Sequence, residues 1–254
     1  MLTTPWISPV FVEIKAVERV RDAVRNAMMT PYPSHVISEP GRGKTTALCH
    51  IVKEFDGAYL EIGEQQKSTG GLYRGLLDAV DAYYSPTAYE RDLCDQVISN
   101  FKRRMNWSVG GKDLLIVDEF QTAEDRTKRE LLRLQETCGF ALVLSGNSER
   151  IASAGKRDER ALQQINDRIG MTVHLPNLDG EDCDRLAQAY GVEGEDARLA
   201  VRALGSKTNA RNLARVLQRA QAETQASPIR LSNLKNAVLG IYGKADALKL
   251  LQPR

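Results

Sequence analysis

The chain has 254 residues, 42% of them hydrophobic, and a net charge of +2, which is enough for one large core or two smaller ones. No apolar run nears membrane-spanning length, and MLTTPWISPV has neither a basic nor an apolar leader region, so a cytoplasmic protein with no membrane partner is expected. Cys49, Cys94, Cys138 and Cys183 form no C-x-x-C pair and His35, His50 and His174 share no ligand spacing, which argues against a zinc site or a disulfide framework.

In chain order, Ile14, Val17, Val20, Val24 and Met28 recur at helical spacing, and Pro31 and Pro33 end that helix. A short strand near His35 to Ser38 leads into SEPGRGKTT, residues 38–46. Backbone N–H groups in such a loop form an anion nest at a helix N-terminus, where the helix dipole adds to them. Gly41 and Gly43 permit the tight backbone, Lys44 is expected to reach the β- and γ-phosphates, and the Thr45 hydroxyl to ligate Mg²⁺. The expected nucleotide site is therefore Glu39, Pro40, Gly41, Arg42, Gly43, Lys44, Thr45 and Thr46. The first position of the phosphate-loop pattern is Ser38 and not Gly, so an accidental glycine turn beside a lysine stays open on these residues alone.

A helix to about Phe55 and a strand at Ala58 to Ile62 follow, then a helical stretch opened by Gly70 and Gly71 and a longer one after Pro86 to about Met105, with Leu93, Val97 and Phe101 on a face. Residues 114–119, LLIVDE, read as a buried parallel strand ending at two carboxylates. Asp118 is expected to hold Mg²⁺ through its waters and Glu119 to polarise an attacking water. After a helix around Leu131 to Thr137, ALVLSGN delivers Asn147 at the end of another strand, either as a site residue or as a turn residue after Gly146. In open α/β sheets ligands bind beyond the carboxyl ends of the strands, so loop, acids and asparagine fall on one edge. A polar helical segment near Arg160 to Ile169 and a strand at Met171 to Leu175 complete a five-stranded parallel sheet flanked by helices.

Beyond Pro176 the pattern is helical only, with Asp179 as an N-cap and Gly191, Gly194 and Gly205 as punctuation. The expected domains are thus 1–176, including an N-terminal segment and helix over 1–30, and a small helical domain over 177–254. From Ser206 onward nine Lys or Arg face two acids, so this segment carries +7 and the remainder −5. Lys207, Arg211, Arg215 and Arg219 form a stripe opposite Leu213, Val216, Leu217 and Ala220, readable as a solvated face or as a contact surface for nucleic acid or an acidic partner.

These residues resemble the AAA+ ATPases, an α/β P-loop fold with a small C-terminal helical lid. Within them FVEIKAVERV, SEPGRGKTTAL, LLIVDEFQ, LVLSGNSE, INDRIG, VHLPNL and TNARNLARVL resemble the DNA-transposition regulators typified by phage Mu B and TnsC, over roughly residues 11–220. The resemblance implies ATP and Mg²⁺ as cofactors, with Asn147 positioning the lytic water and Arg211 sensing nucleotide. It makes Arg168 an arginine finger toward a neighbouring subunit, with Arg157 and Arg160 as competing candidates and a helix-end position as the plainer reading of Arg168. It also implies assembly into filaments or rings on double-stranded DNA, delivery of that DNA to a transposase, and disassembly on hydrolysis.

Lys67, Ser68 and Thr69 in one loop, and Lys102, Arg103 and Arg104 near another, are the expected DNA contacts, made to phosphates without regard to sequence. The second cluster reads equally as the cationic end of a helix, and Trp107 as a base-stacking or a packing residue. A helicase-loader or secretion-type ATPase, a small-molecule phosphotransferase and a weakly hydrolysing nucleotide-switched scaffold remain alternatives.

Overall fold

A computed structural model describes residues 10–107, 112–147, 165–224 and 228–253. They divide into two compact units. The first contains Arg19–Glu39 and Thr45–His174. The second contains the segment ending at Glu18, Pro40–Lys44 and Leu175–Arg254.

The first unit is built on β1 (Ser34–Ile37), β2 (Ala58–Glu61), β3 (Leu114–Asp118), β4 (Ala141–Gly146) and β5 (Met171–His174). They form one parallel sheet in the order β2-β3-β4-β1-β5, as the alternation of strands and helices implies. Every residue of β3 and β4 is buried, which is why both read as continuous apolar runs without alternation. Leu115, Ile116, Leu142 and Val143 are fully withdrawn from solvent, each stabilising by roughly 1.5–3 kcal/mol.

Helices α1 (Lys15–Met29), α2 (Lys44–Glu54), α3 (Thr69–Ala79), α4 (Glu90–Trp107) and α5 (Asp125–Cys138) intervene in the chain. Helix α5 begins six residues before the expected Leu131. Its first turns are polar in sequence, but Thr127, Leu131, Leu134 and Cys138 at three- and four-residue spacing face inward together. The segment expected to be helical near Arg160 lies mostly outside the described residues, Arg157 and Arg160 included.

The second unit comprises α6 (Gly180–Ala189), α7 (Glu195–Lys207), α8 (Ala210–Thr224), α9 (Leu231–Tyr242) and a 3₁₀ turn at Ala245–Leu251. Asp179 caps α6 as expected, its side chain accepting from Asp182 N. Leu204, Leu213, Val216, Leu217, Leu234 and Val238 form its interior.

Two features depart from the expected division at 176/177. The chain up to Glu18 groups with the helices because the Lys15 backbone N–H donates to Asp182 Oδ1, its ammonium pairs with Asp179, and Arg185 holds Glu13 O and Glu18. That pairing raises the Lys15 pKa and lowers that of Asp179. Pro40–Lys44 of the phosphate loop groups with them as well, and there Arg211 N donates to Gly41 O at 2.9 Å.

Candidate nucleotide site

In the first unit, the carboxyl ends of β3 and β4 bring polar groups together around Asp118, which is 1% exposed. Oδ2 accepts from Thr45 Oγ1 at 2.9 Å and from the Tyr59 hydroxyl at 3.2 Å. Oδ1 accepts from Ser145 Oγ and from Glu119 N, both at 2.8 Å. A buried carboxylate is tolerated only when its oxygens are met by donors, and here four are supplied. Burial, and then the Asp118 charge, push the Tyr59 phenol far above its ordinary pKa, so it stays a neutral donor. Cys49, beside Tyr59, is likewise pushed up to about 11, chiefly by burial.

Thr45 and Asp118 thus lie within hydrogen-bond distance, one hydroxyl and one carboxylate at the start of α2 and the end of β3. Oxygen donors of this kind suit Mg²⁺, which is commonly held by one or two carboxylates together with substrate phosphates and waters, not by an all-protein cage. The donor set fits that ion. The metal's chemistry there would be to neutralise charge on bound phosphates.

Glu119 follows with φ of 54°, a left-handed conformation that costs a non-glycine residue about 1–2 kcal/mol. Phe120, 5% exposed, anchors the ensuing 3₁₀ turn Phe120–Thr122 in the core. Gln121 Nε2 donates to Glu119 Oε2 at 2.5 Å, and Gln121 Oε1 accepts from Asn147 N at 3.3 Å. Asn147 directly follows β4, and its Oδ1 is buried without a hydrogen-bond partner among the described residues. An acceptor in that condition has a place for a donor such as water. Ser38 lies past the end of β1, buried, with its hydroxyl also unpartnered among the described residues. Arg168 is in the turn before β5 and pairs with Glu136 at 3.3 Å, both about half exposed.

In the second unit, Gly41 and Gly43 both take φ of +84°, which accounts for glycine at these two positions. A Cβ on Gly41 would meet the Asn209 amide at 2.7 Å. Asn209 in turn caps α8, its Oδ1 accepting from Asn212 N at 2.9 Å. Arg42 NH1 donates to Leu175 O at 2.7 Å. Lys44 is the first residue of α2, whose first turn carries no acid, an N-terminus open to an anion. Glu39, Pro40 and Thr46 are exposed. Arg211 is held to the loop by its backbone and its side chain is exposed.

The expected DNA contacts fare unequally. Thr69 is 7% exposed as the first residue of α3, which corrects its reading as a surface contact. Ser68 is exposed, but its hydroxyl is used as the α3 cap, accepting from Gly71 N. Lys67 pairs with Glu64 at 2.6 Å. Arg104 is bound by Asp113 at 2.5 Å, a pairing that raises its pKa, so it is no spare cation. Lys102 and Arg103 are exposed on α4, with Arg103 NH2 donating to Asn100 Oδ1 at 2.8 Å. Of the stripe, Lys207 belongs to α7, which ends before the capping Asn209 opens α8, and its ammonium donates to Lys249 O and Gln252 O. Only Arg211, Arg215 and Arg219 share a helix, and Arg219 pairs with Glu223 at 3.1 Å.

Tyr59, Ser145, Gln121 and Asn209 are site residues that the sequence reading passed over. Ser145 carried a signal, as a polar residue inside an apolar strand. Asn209 carried another, as an N-cap residue type before a helical run.

Residues 28–152 match the family described as an AAA domain. Over 197 residues the chain is 23% identical to the Mu-like prophage FluMu DNA transposition protein B of Haemophilus influenzae, covering 76% of this chain and 66% of that protein, just under two thirds of its length. The fold is similar to that of the Aeropyrum pernix ORC2 protein, solved as ADPNP–ADP complexes, with a TM-score of 0.69 and 15% identity over 92% of this chain and 69% of that one. Among the described residues no helix is long and apolar enough to cross a membrane.

Proposed function

We infer that the chain is an AAA+ protein of the Mu B-like kind, an ATPase of DNA transposition that binds double-stranded DNA when ATP-loaded and hands it to a transposase. The observation that supports the nucleotide half is the Thr45–Asp118 contact of 2.9 Å, a hydroxyl that would ligate Mg²⁺ beside a carboxylate that would hold the ion through its waters. Lys44 supplies a point charge for the β- and γ-phosphates. The Glu119 carboxylate takes the attacking water's proton or orients that water, and Asn147 presents its unpartnered Oδ1 to the same water.

Arg168 acts on the nucleotide of an adjacent subunit, adding positive charge where the transition state gathers negative charge. Its pairing with Glu136 is exposed and therefore weak, so redirecting the side chain costs at most about 1 kcal/mol. Hydrolysis then depends on self-assembly into a filament or ring and dismantles it. DNA is held through its phosphates, without sequence preference and with steep salt dependence. The transposition half rests on the relative's function.

Sedimentation with duplex DNA, with and without ATP, tests the reading. We expect the wild-type protein to co-sediment only with ATP and Mg²⁺. Lys44→Ala should lose nucleotide affinity by about 10- to 100-fold and stop co-sedimenting. ATP-independent pelleting, or unchanged affinity in Lys44→Ala, would refute it.

A further inference from the structure

Between Glu119 and Asn147 lies a side chain to which the roles proposed above assign no task. Gln121 Nε2 reaches Glu119 Oε2 at 2.5 Å, while its Oε1 receives Asn147 N at 3.3 Å. The orientation of this amide is fixed by its partners: a carboxylate only accepts and a backbone N–H only donates, so a flipped amide would face oxygen with oxygen and N–H with N–H. Its base is also fixed, since Phe120 is buried in the core and Thr122 N donates to Glu119 O at 2.9 Å, closing the turn.

The strand opposite leaves room for it. A Cβ on Gly146 would stand 2.6 Å from Gln121 Oε1, and the two next nearest atoms, at 3.7 and 3.8 Å, are also Gln121's. Gly146 ends β4 in a sheet interior, where glycine is otherwise unfavourable, so its smallness has one evident use here.

We propose that Gln121 is a positioning residue, one rigid amide that holds the Glu119 carboxylate and the Asn147 end of β4 in a single register. A change at Asn147 is thereby passed to the carboxylate proposed to activate the water. The inference rests on the hydrolytic roles proposed above for Glu119 and Asn147. Gln121 touches no substrate and acts through its two partners.

Turnover, nucleotide affinity and the side-chain amide resonance of a small set of variants test it. Gln121→Ala should lower kcat by about 10- to 100-fold, the scale of a misplaced catalytic group, while KM and the affinity for a fluorescent non-hydrolysable ATP analogue stay within about twofold. Gly146→Ala should do the same by displacing the amide. The double variant should be no slower than the slower single variant, because the second change acts only through the first. In the nucleotide-free protein, the Gln121 side-chain amide resonance should move in both Gly146→Ala and Glu119→Ala. Additive losses in the double variant, unchanged or raised kcat in Gln121→Ala, or an amide resonance indifferent to both changes would overturn the proposal. Failure of hydrolysis itself is told apart by Glu119→Gln: unchanged turnover there removes the catalytic premise, and the resonance arm still decides whether the amide clamps.

Discussion

The acid end of β3 and the basic loops are both made of charged residues, and they use charge in opposite ways. At Asp118 one carboxylate is buried among four donors contributed by four separate residues, Thr45, Tyr59, Glu119 and Ser145. At the loops, cations that look available in sequence are already engaged nearby: Lys67 by Glu64 three residues away, and Arg104 by Asp113 nine residues away. Burial makes the first cluster costly to disturb, whereas the exposed Lys67–Glu64 pair contributes about 0–1 kcal/mol and is readily exchanged for another partner. A count of basic residues therefore overstates the surface that can meet a polyanion, and of the six expected contacts Lys102 and Arg103 are the exposed cations with no carboxylate partner among the described residues.

If the acid cluster divides its labour between a metal-holding and a water-activating carboxylate, its two acids will fail differently. Glu119→Gln should lower ATP turnover by about 10²- to 10⁴-fold, leave ATP affinity intact and prolong DNA-bound assemblies, read by phosphate release and by sedimentation. Asp118→Ala should instead lose Mg²⁺-dependent nucleotide binding and destabilise the fold by about 2–4 kcal/mol in urea, because the Tyr59 and Ser145 hydroxyls are left buried without an acceptor. Equal stability in the two variants would mean that the buried cluster does not hold the fold as its geometry indicates.

Much of this was legible from the chain. Four consecutive apolar residues before two acids can only bury on both faces, so β3 and its role in a parallel sheet followed from the pattern, as did β4. The phosphate loop was legible because only glycine takes φ of +84° cheaply, and Gly41 and Gly43 both do. What sequence withheld were contacts between residues distant in sequence. Tyr59 lies 59 residues from Asp118, and Ser145 lies 27 from it. Thr69 looked like a polar loop residue until Ser68 capped α3 and drew it inside. The stripe from Lys207 to Arg219 obeyed a four-residue spacing, but periodicity is blind to a helix break, and the cap at Asn209 falls within it.

The loops supply the intermediate effects. Lys102→Glu with Arg103→Glu should weaken ATP-dependent duplex binding and reduce the slope of log affinity against log salt by about 2, one phosphate contact for each lost cation. Lys67→Glu, whose charge already answers Glu64, should change that slope by less. Nucleotide affinity should hold in both, measured with a fluorescent analogue. A larger loss in Lys67→Glu would mean that its ion pair opens on DNA.

The smallest effect is expected on α8, where Arg215 and Arg219 are exposed and Arg219 is tied to Glu223 at 3.1 Å. Arg215→Glu with Arg219→Glu removes one exposed helical pair, about 0.3–0.5 kcal/mol, and adds repulsion with Glu223, so stability should fall by less than about 1 kcal/mol. Buried Leu213, Val216, Leu217 and Ala220 occupy the other face and hold the helix regardless of these charges. Duplex binding and transposase binding should therefore survive, with a salt slope equal to that of the wild-type protein. If this double reversal abolishes duplex binding while the Lys67 and Lys102–Arg103 variants keep it, the helical unit is the DNA-binding surface. The loops would then have only their local pairings to explain their charge.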